Sequence, residues 1–139
     1  MQRGKTLKRT GAGLCVLLAL YLLLPGIFSG CGSDEKTAYA QITAEEAREL
    51  MESESVFFVV DARTDGEFAE GHIPGAILIP EYEVAEKAEE KIPDKDALIL
   101  VYCRSGRRSK IAAEELVKLG YTNVKEFGGI VGWPYGTVK

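Results

Sequence analysis

Residues 100–116 read LVYCRSGRRSKIAAEEL, and an apolar run there ends on Cys103, followed at once by Arg104, Ser105, Gly106, Arg107, Arg108 and Ser109. Positive charge gathered around one cysteine is a device for making a thiolate, the form of the side chain that attacks electrophiles. A thiol with an ordinary pKa of about 8.5 must fall by about two units, or about 2.7 kcal/mol, to be mostly ionised at neutral pH. A helix N-terminus alone supplies about 0.3–1 kcal/mol when exposed. The remainder has to come from converging backbone N–H groups and a guanidinium, because hydrogen bonds to charged groups are the stronger kind. Gly106 permits a backbone angle that other residues resist, which suits a loop folded back over its own sulfur. A lone cysteine is by default a small buried hydrophobe. These neighbours favour a nucleophile instead.

The elements around this stretch must hold it at the edge of a core. The chain has 139 residues, room for one domain of about 100 residues. ITAEEARELMES opens with Thr43 and has Glu46 three residues on, a capping box that predicts a short helix. VFFVVDA at 56–62 and ALILVYC at 97–103 are continuous apolar runs suited to strands covered on both faces, and AILIP at 76–80 is a shorter one. EYEVAEKAEEKI reads as a solvated helix, and SKIAAEELVKLG at 109–120 as a helix with an apolar stripe stopped by Gly120. VKEF at 124–127 is a last short strand. Strands alternating with helices predict an α/β domain, a mainly parallel sheet with helices on both faces, over residues 42–139. In such folds reactive groups lie beyond the C-terminal ends of strands, where Cys103 stands.

Charge and the N-terminus bound the setting. The net charge is -4, but Arg3, Lys5, Lys8 and Arg9 precede any acid, so the remainder carries 13 basic against 21 acidic residues, or -8. An acidic domain argues against nucleic acid as a partner. LCVLLALYLLLPGIF at 14–28 has no charge and follows the basic start, the pattern of an export signal over residues 1–30. FSGC, ending at Cys31, resembles the lipobox of bacterial lipoproteins, in which the cysteine is lipidated and becomes the mature N-terminus. The expectation is an exported lipoprotein held to the membrane through Cys31, facing the periplasm or cell exterior, with residues 31–41 as a polar tether. Two alternatives remain open: signal-peptidase cleavage after AYA at 38–40, or an uncleaved apolar anchor. Cys15 lies in the signal and Cys31 in the lipobox, which leaves Cys103 without a disulfide partner.

Three segments together carry a family resemblance. DARTDGEFAEGHIPGAILIP at 61–80, VYCRSGRRS at 101–109 and FGGIVGWPYG at 127–136 resemble the signature segments of the single-domain rhodanese family, in order and in spacing. The resemblance implies a five-stranded sheet between helices and a cysteine that carries a transferable sulfur as a persulfide. By position it makes Cys103 the nucleophile and Arg104, Ser105, Gly106, Arg107, Arg108 and Ser109 the loop cradling the outer sulfur. Asp61 and Arg63 match the family's D-x-R at a strand end, where the acid braces loop arginines. The implied donors are thiosulfate, polysulfide or another sulfane, the acceptors cyanide or a small thiol, and no cofactor is required.

Other residues take quieter roles. His72, the only histidine, is expected to hold a turn within GHIPGA rather than act as a base, since a low-pKa thiolate needs none. Trp133 is expected to cover the core. One histidine and one uncommitted cysteine do not make a metal site. Phosphatases and arsenate reductases of the same fold have a loop one residue longer, with an arginine six positions after the cysteine; that position is Ser109 here. A non-catalytic binding module is the remaining alternative, and such modules often lack the cysteine.

Overall fold

The computed structural model describes residues 38–139. The expected export signal and lipobox, with Cys15 and Cys31, lie outside the described residues. Five strands form one parallel sheet in the order β1-β5-β4-β2-β3: β1 Ala40–Gln41, β2 Phe57–Asp61, β3 Ala76–Leu78, β4 Leu98–Cys103 and β5 Val124–Gly129. The helices are α1 Ala44–Ser53, α2 Asp65–Glu70, α3 Val84–Lys91 and α4 Arg107–Lys118. β4 lies at the centre of the sheet and every residue of it is buried, as its apolar run requires. Its alternating side chains feed two core layers. Ile99, Val101 and Cys103 pack with Ala112, Ala113 and Leu116 of α4, whereas Leu98, Leu100 and Tyr102 pack with Ala47 of α1, Phe127 and Trp133.

Several boundaries differ from the sequence expectation, each for a local reason. Thr43 and Glu46 do form the capping box at α1, but an identical pair, Thr64 and Glu67, starts the unanticipated α2. The helix expected over 81–92 begins as a 3-10 turn at Glu81–Glu83 after Pro80. α4 starts at Arg107, two residues early, because Gly106 at φ +102° turns the chain straight into it. β5 runs on through Gly129, which pairs with Cys103 after a register shift. The polar tether expected over 31–41 ends sooner. Ala40 and Gln41 pair with Lys125 and Glu126, and Tyr39 is 7% exposed in the α4-side core.

That last contact predicts a cost for losing Tyr39. A chain starting at Gln41 should be less stable than one starting at Glu35 by about 2 kcal/mol, the burial of one large side chain, measured as a lower urea midpoint at an unchanged slope.

Candidate active site

Cys103 ends β4, and its side chain is 1% exposed beneath the turn that follows. The backbone N–H of Gly106 donates to Cys103 Sγ at 3.1 Å. Burial pushes the thiol up, but the Ser109 hydroxyl and the backbone N–H groups of Ser109, Gly106 and Ser105 outweigh it, so the pKa is lowered from its ordinary value. These donors sit in the turn leading into α4 and in its first turn, and the helix N-terminus adds its own positive potential. Two glycines make the closure possible. Gly106 takes a left-handed angle, and Gly129 packs against the Arg104 backbone so closely that a Cβ there would strike the Arg104 carbonyl.

The loop is fixed on two sides. Arg108 reaches across to α2, where Nη1 and Nη2 donate to Glu67 Oε2 and Oε1 at 2.7 Å each, a bidentate fork. Glu67 is held at the same time by Thr64 at the N-cap of α2, and Glu81 lies 4.0 Å from Arg108 Nε. The Arg108 hydrogen bonds hold the Glu67 carboxyl down at about 2, and Glu67 in turn raises Arg108. On the other side the Ser109 hydroxyl donates to Glu126 Oε1 of β5 at 2.6 Å. Arg104 and Arg107 are exposed and, among the described residues, make no ion pair. They are the cations open to an arriving anion.

Asp61 does not brace these arginines. Its carboxylate accepts Arg63 N and Nε at 2.9 Å, Arg63 Nη2 at 2.7 Å and the Tyr102 hydroxyl at 2.6 Å. Arg63 Nη2 also donates to the Gly71 carbonyl at 2.7 Å, and Ile73 N–H donates to Tyr102 Oη at 3.1 Å. The pair therefore ties the 71–73 turn to the sheet end, and Glu67 holds the loop in its place. A bidentate partner for the arginine within two residues satisfies Asp61 locally, so nothing draws it towards the loop. Burial and the Asp61 bond push the Tyr102 phenol well up. His72 donates Nδ1–H to the Phe68 carbonyl at 3.0 Å, stacks on the Phe68 ring at 3.7 Å, and exchanges backbone hydrogen bonds with Val138. Trp133 is 8% exposed and packs on Phe127. Beside the loop an open hollow of about 430 Å³ is lined by Ala44, Arg104, Ser105, Phe127, Val131 and the glycines 129 and 132.

Against known proteins, the family model for the Rhodanese-like domain matches residues 43–134. The chain belongs to the rhodanese-like family. Thiosulfate sulfurtransferase PspE of Escherichia coli is 41% identical over 71 residues, spanning 51% of this chain and 68% of that one. A sulfurtransferase of Allochromatium vinosum is 38% identical over 88 residues, 63% of this chain and 79% of its own. A solved structure of an E. coli rhodanese with anions superposes with a TM-score of 0.56 at 38% identity, covering 59% of this chain and 96% of that one. The five-stranded parallel sheet flanked by helices is thus the rhodanese fold, and the protein is a rhodanese-type sulfurtransferase.

Glu67 was not singled out by sequence, yet its T-x-x-E spacing from Thr64 marks a helix start that brings it to the loop. Glu67→Gln should weaken the fork with Arg108 and cost about 1–2 kcal/mol of unfolding free energy at neutral pH. Because the folded pKa of about 2 lies below the ordinary 4.5, this stabilisation is present above 4.5 and is lost as pH falls through about 2. Urea unfolding of both proteins across that window should show the wild-type advantage shrinking towards the acid end.

Proposed function

We propose that Cys103 carries a sulfane sulfur as a persulfide between a small anionic donor and a cyanide or thiol acceptor. The observation that carries this reading is the Gly106 N–H donating to Sγ at 3.1 Å within a loop of five residues between Cys103 and Ser109. A ring of N–H groups this small suits one additional sulfur atom. In the first displacement the Cys103 thiolate attacks the outer sulfur of thiosulfate. The S–S bond of the donor breaks and sulfite leaves with the electron pair. With polysulfide a chain shorter by one sulfur leaves instead. Arg104 and Arg107, exposed at the loop, attract the anion, while the bonding of Arg108 to Glu67 is turned to holding the loop in shape. In the second displacement cyanide or a thiolate attacks the outer sulfur, and Cys103 leaves as the thiolate it began as. Two such steps give ping-pong kinetics.

The same reading places the protein outside the cytoplasm, anchored through a lipid on Cys31. Supporting it are the basic start, the apolar run at 14–28 and FSGC at 28–31. Cleavage after Ala40 would strip away the buried Tyr39 and half of β1, which favours a mature start upstream of both. With Cys31 as the anchor, residues 32–38 form the tether.

The chemistry predicts that thiosulfate or polysulfide adds the mass of one sulfur to the Cys103 peptide, and that Cys103→Ser, nearly isosteric, abolishes sulfur transfer to cyanide while keeping the fold. A serine variant with undiminished rate would remove Cys103 from the reaction.

The anchor predicts that the full-length chain made in a bacterial host incorporates labelled palmitate and partitions into detergent, and that Cys31→Ala does neither. A soluble product starting at Gln41 from both forms would establish cleavage after AYA instead.

A further inference from the structure

Glu126 is an acid for which the two displacements have no use, and it is 3% exposed. It stands on β5 opposite Val101, in the layer that packs against α4. Its Oε1 accepts the Ser109 hydroxyl at 2.6 Å and the Gly128 N–H at 2.8 Å. Gly106, whose N–H donates to the Cys103 sulfur, lies over the same oxygen: a Cβ built on Gly106 would be 3.8 Å from Glu126 Oε1. Among the described residues no Lys, Arg or His forms an ion pair with Glu126. Lys125, its neighbour in the strand, points to the opposite face. The other titratable groups facing this site are Tyr39, just before β1, Glu114 of α4, and Arg108, whose charge acts on Cys103 from above the loop; burial and both carboxylates push the Tyr39 phenol up.

A buried carboxylate with no cation beside it is expensive, and an apolar side chain would fill this place at less cost. What Glu126 has instead is the N-terminus of α4, the same positive end that the thiolate uses. Two anions therefore draw on one helix terminus and on one hydroxyl. Ser109 has a single proton to donate. At 2.6 Å it is held chiefly by Glu126, so the sulfur receives only the share of that hydroxyl which Glu126 leaves.

We propose that Glu126 is a positioning residue that acts through Ser109 to limit how far the loop stabilises the Cys103 thiolate. The inference rests on Cys103 being the reactive thiol. Its chemical sense lies in nucleophilicity, which falls as a thiol becomes more acidic, so a thiolate over-stabilised by its loop attacks a donor slowly. Glu126 keeps the sulfur basic enough for the first displacement.

The test is the rate of Cys103 alkylation by iodoacetamide across pH, followed on the Cys103 peptide of the full-length chain by mass spectrometry. Glu126→Gln removes the charge at constant shape. Its midpoint should fall by about one unit. The alkaline plateau should then fall about threefold while the rate well below both midpoints rises about threefold, so the two profiles cross. Glu126→Met, neutral and apolar, should move the midpoint the same way and serves if the amide disturbs the fold. In a Ser109→Ala background the shift from Glu126→Gln should be smaller, because the shared hydroxyl is gone. An unchanged or raised midpoint, profiles that do not cross, or a full shift without the hydroxyl would each overturn the proposal. If thiosulfate and polysulfide fail to load the wild type while the profiles still cross, it is the sulfur-transfer reading that fails and the role of Glu126 that stands.

Discussion

One closure governs this site: the chain leaves the buried central strand at Cys103 and folds back within three residues so that the Gly106 N–H meets the sulfur. A charge in a place 1% exposed has to be stabilised chiefly by the protein, since little water reaches it. Backbone N–H groups serve that purpose because they are fixed by the helix they begin and need no side-chain ordering when the charge appears. Everything else at this end of the sheet is arranged around keeping that turn closed. Gly129 lets β5 approach the Arg104 backbone, the register shift between β4 and β5 brings Gly129 level with Cys103, and the apolar stripe of α4 seats the helix whose first turn supplies the donors.

Two carboxylates hold the loop, and they act in opposite electrical senses. Glu67 sits on the solvent side of Arg108, partly exposed, and spends a negative charge on neutralising a positive one. The fork fixes the shape of the loop, and the Arg108 charge still interacts with Cys103 across it. Glu126 lies beneath the loop and, among the described residues, forms no ion pair, so its charge is felt by the nearest group that can respond. A loop rich in arginine is therefore less positive at its centre than its sequence implies. Its uncompensated charge is displaced outwards to Arg104 and Arg107, where it faces solvent.

This displacement also marks the limit of what the sequence alone conveyed. The strand ending on Cys103, the loop and the helix after it were legible because apolar periodicity, a glycine and a charge cluster are adjacent in the chain. The capping box at Thr43 was legible for the same reason, and the one at Thr64 carried the same signature in a helix of only six residues interrupted by Gly66. β1 has two residues, too few for any periodicity to show. The partners of the loop were not legible. Glu67 and Arg108 are 41 residues apart, and Ser109 and Glu126 are 17 apart, so their pairing is decided by how the sheet stacks its connections. Asp61 was assigned to the loop by family position, yet its neighbour Arg63 and the Tyr102 hydroxyl satisfy it first. Glu126 did carry a signal of its own: a charged residue in VKEF at a position that faces the core, which is affordable only with a partner waiting there.

The commitments of Arg108 also bear on which reaction the loop can catalyse. Gripping a tetrahedral oxyanion calls for a guanidinium whose two terminal nitrogens face the substrate, so that both donate to its oxygens. Here Nη1 and Nη2 both donate to Glu67 at 2.7 Å, on the side of α2. Turning them inward would leave a carboxylate with a pKa of about 2 without its partner, at a cost that an oxyanion would have to offset on binding. The position six after the cysteine, where such enzymes hold an arginine, is occupied by Ser109, whose hydroxyl is bound beneath the loop to Glu126. The cradle thus has N–H groups for one soft, compact atom and no paired donors for three hard oxygens. Such a cradle fits the persulfide proposed for Cys103 better than it fits an oxyanion.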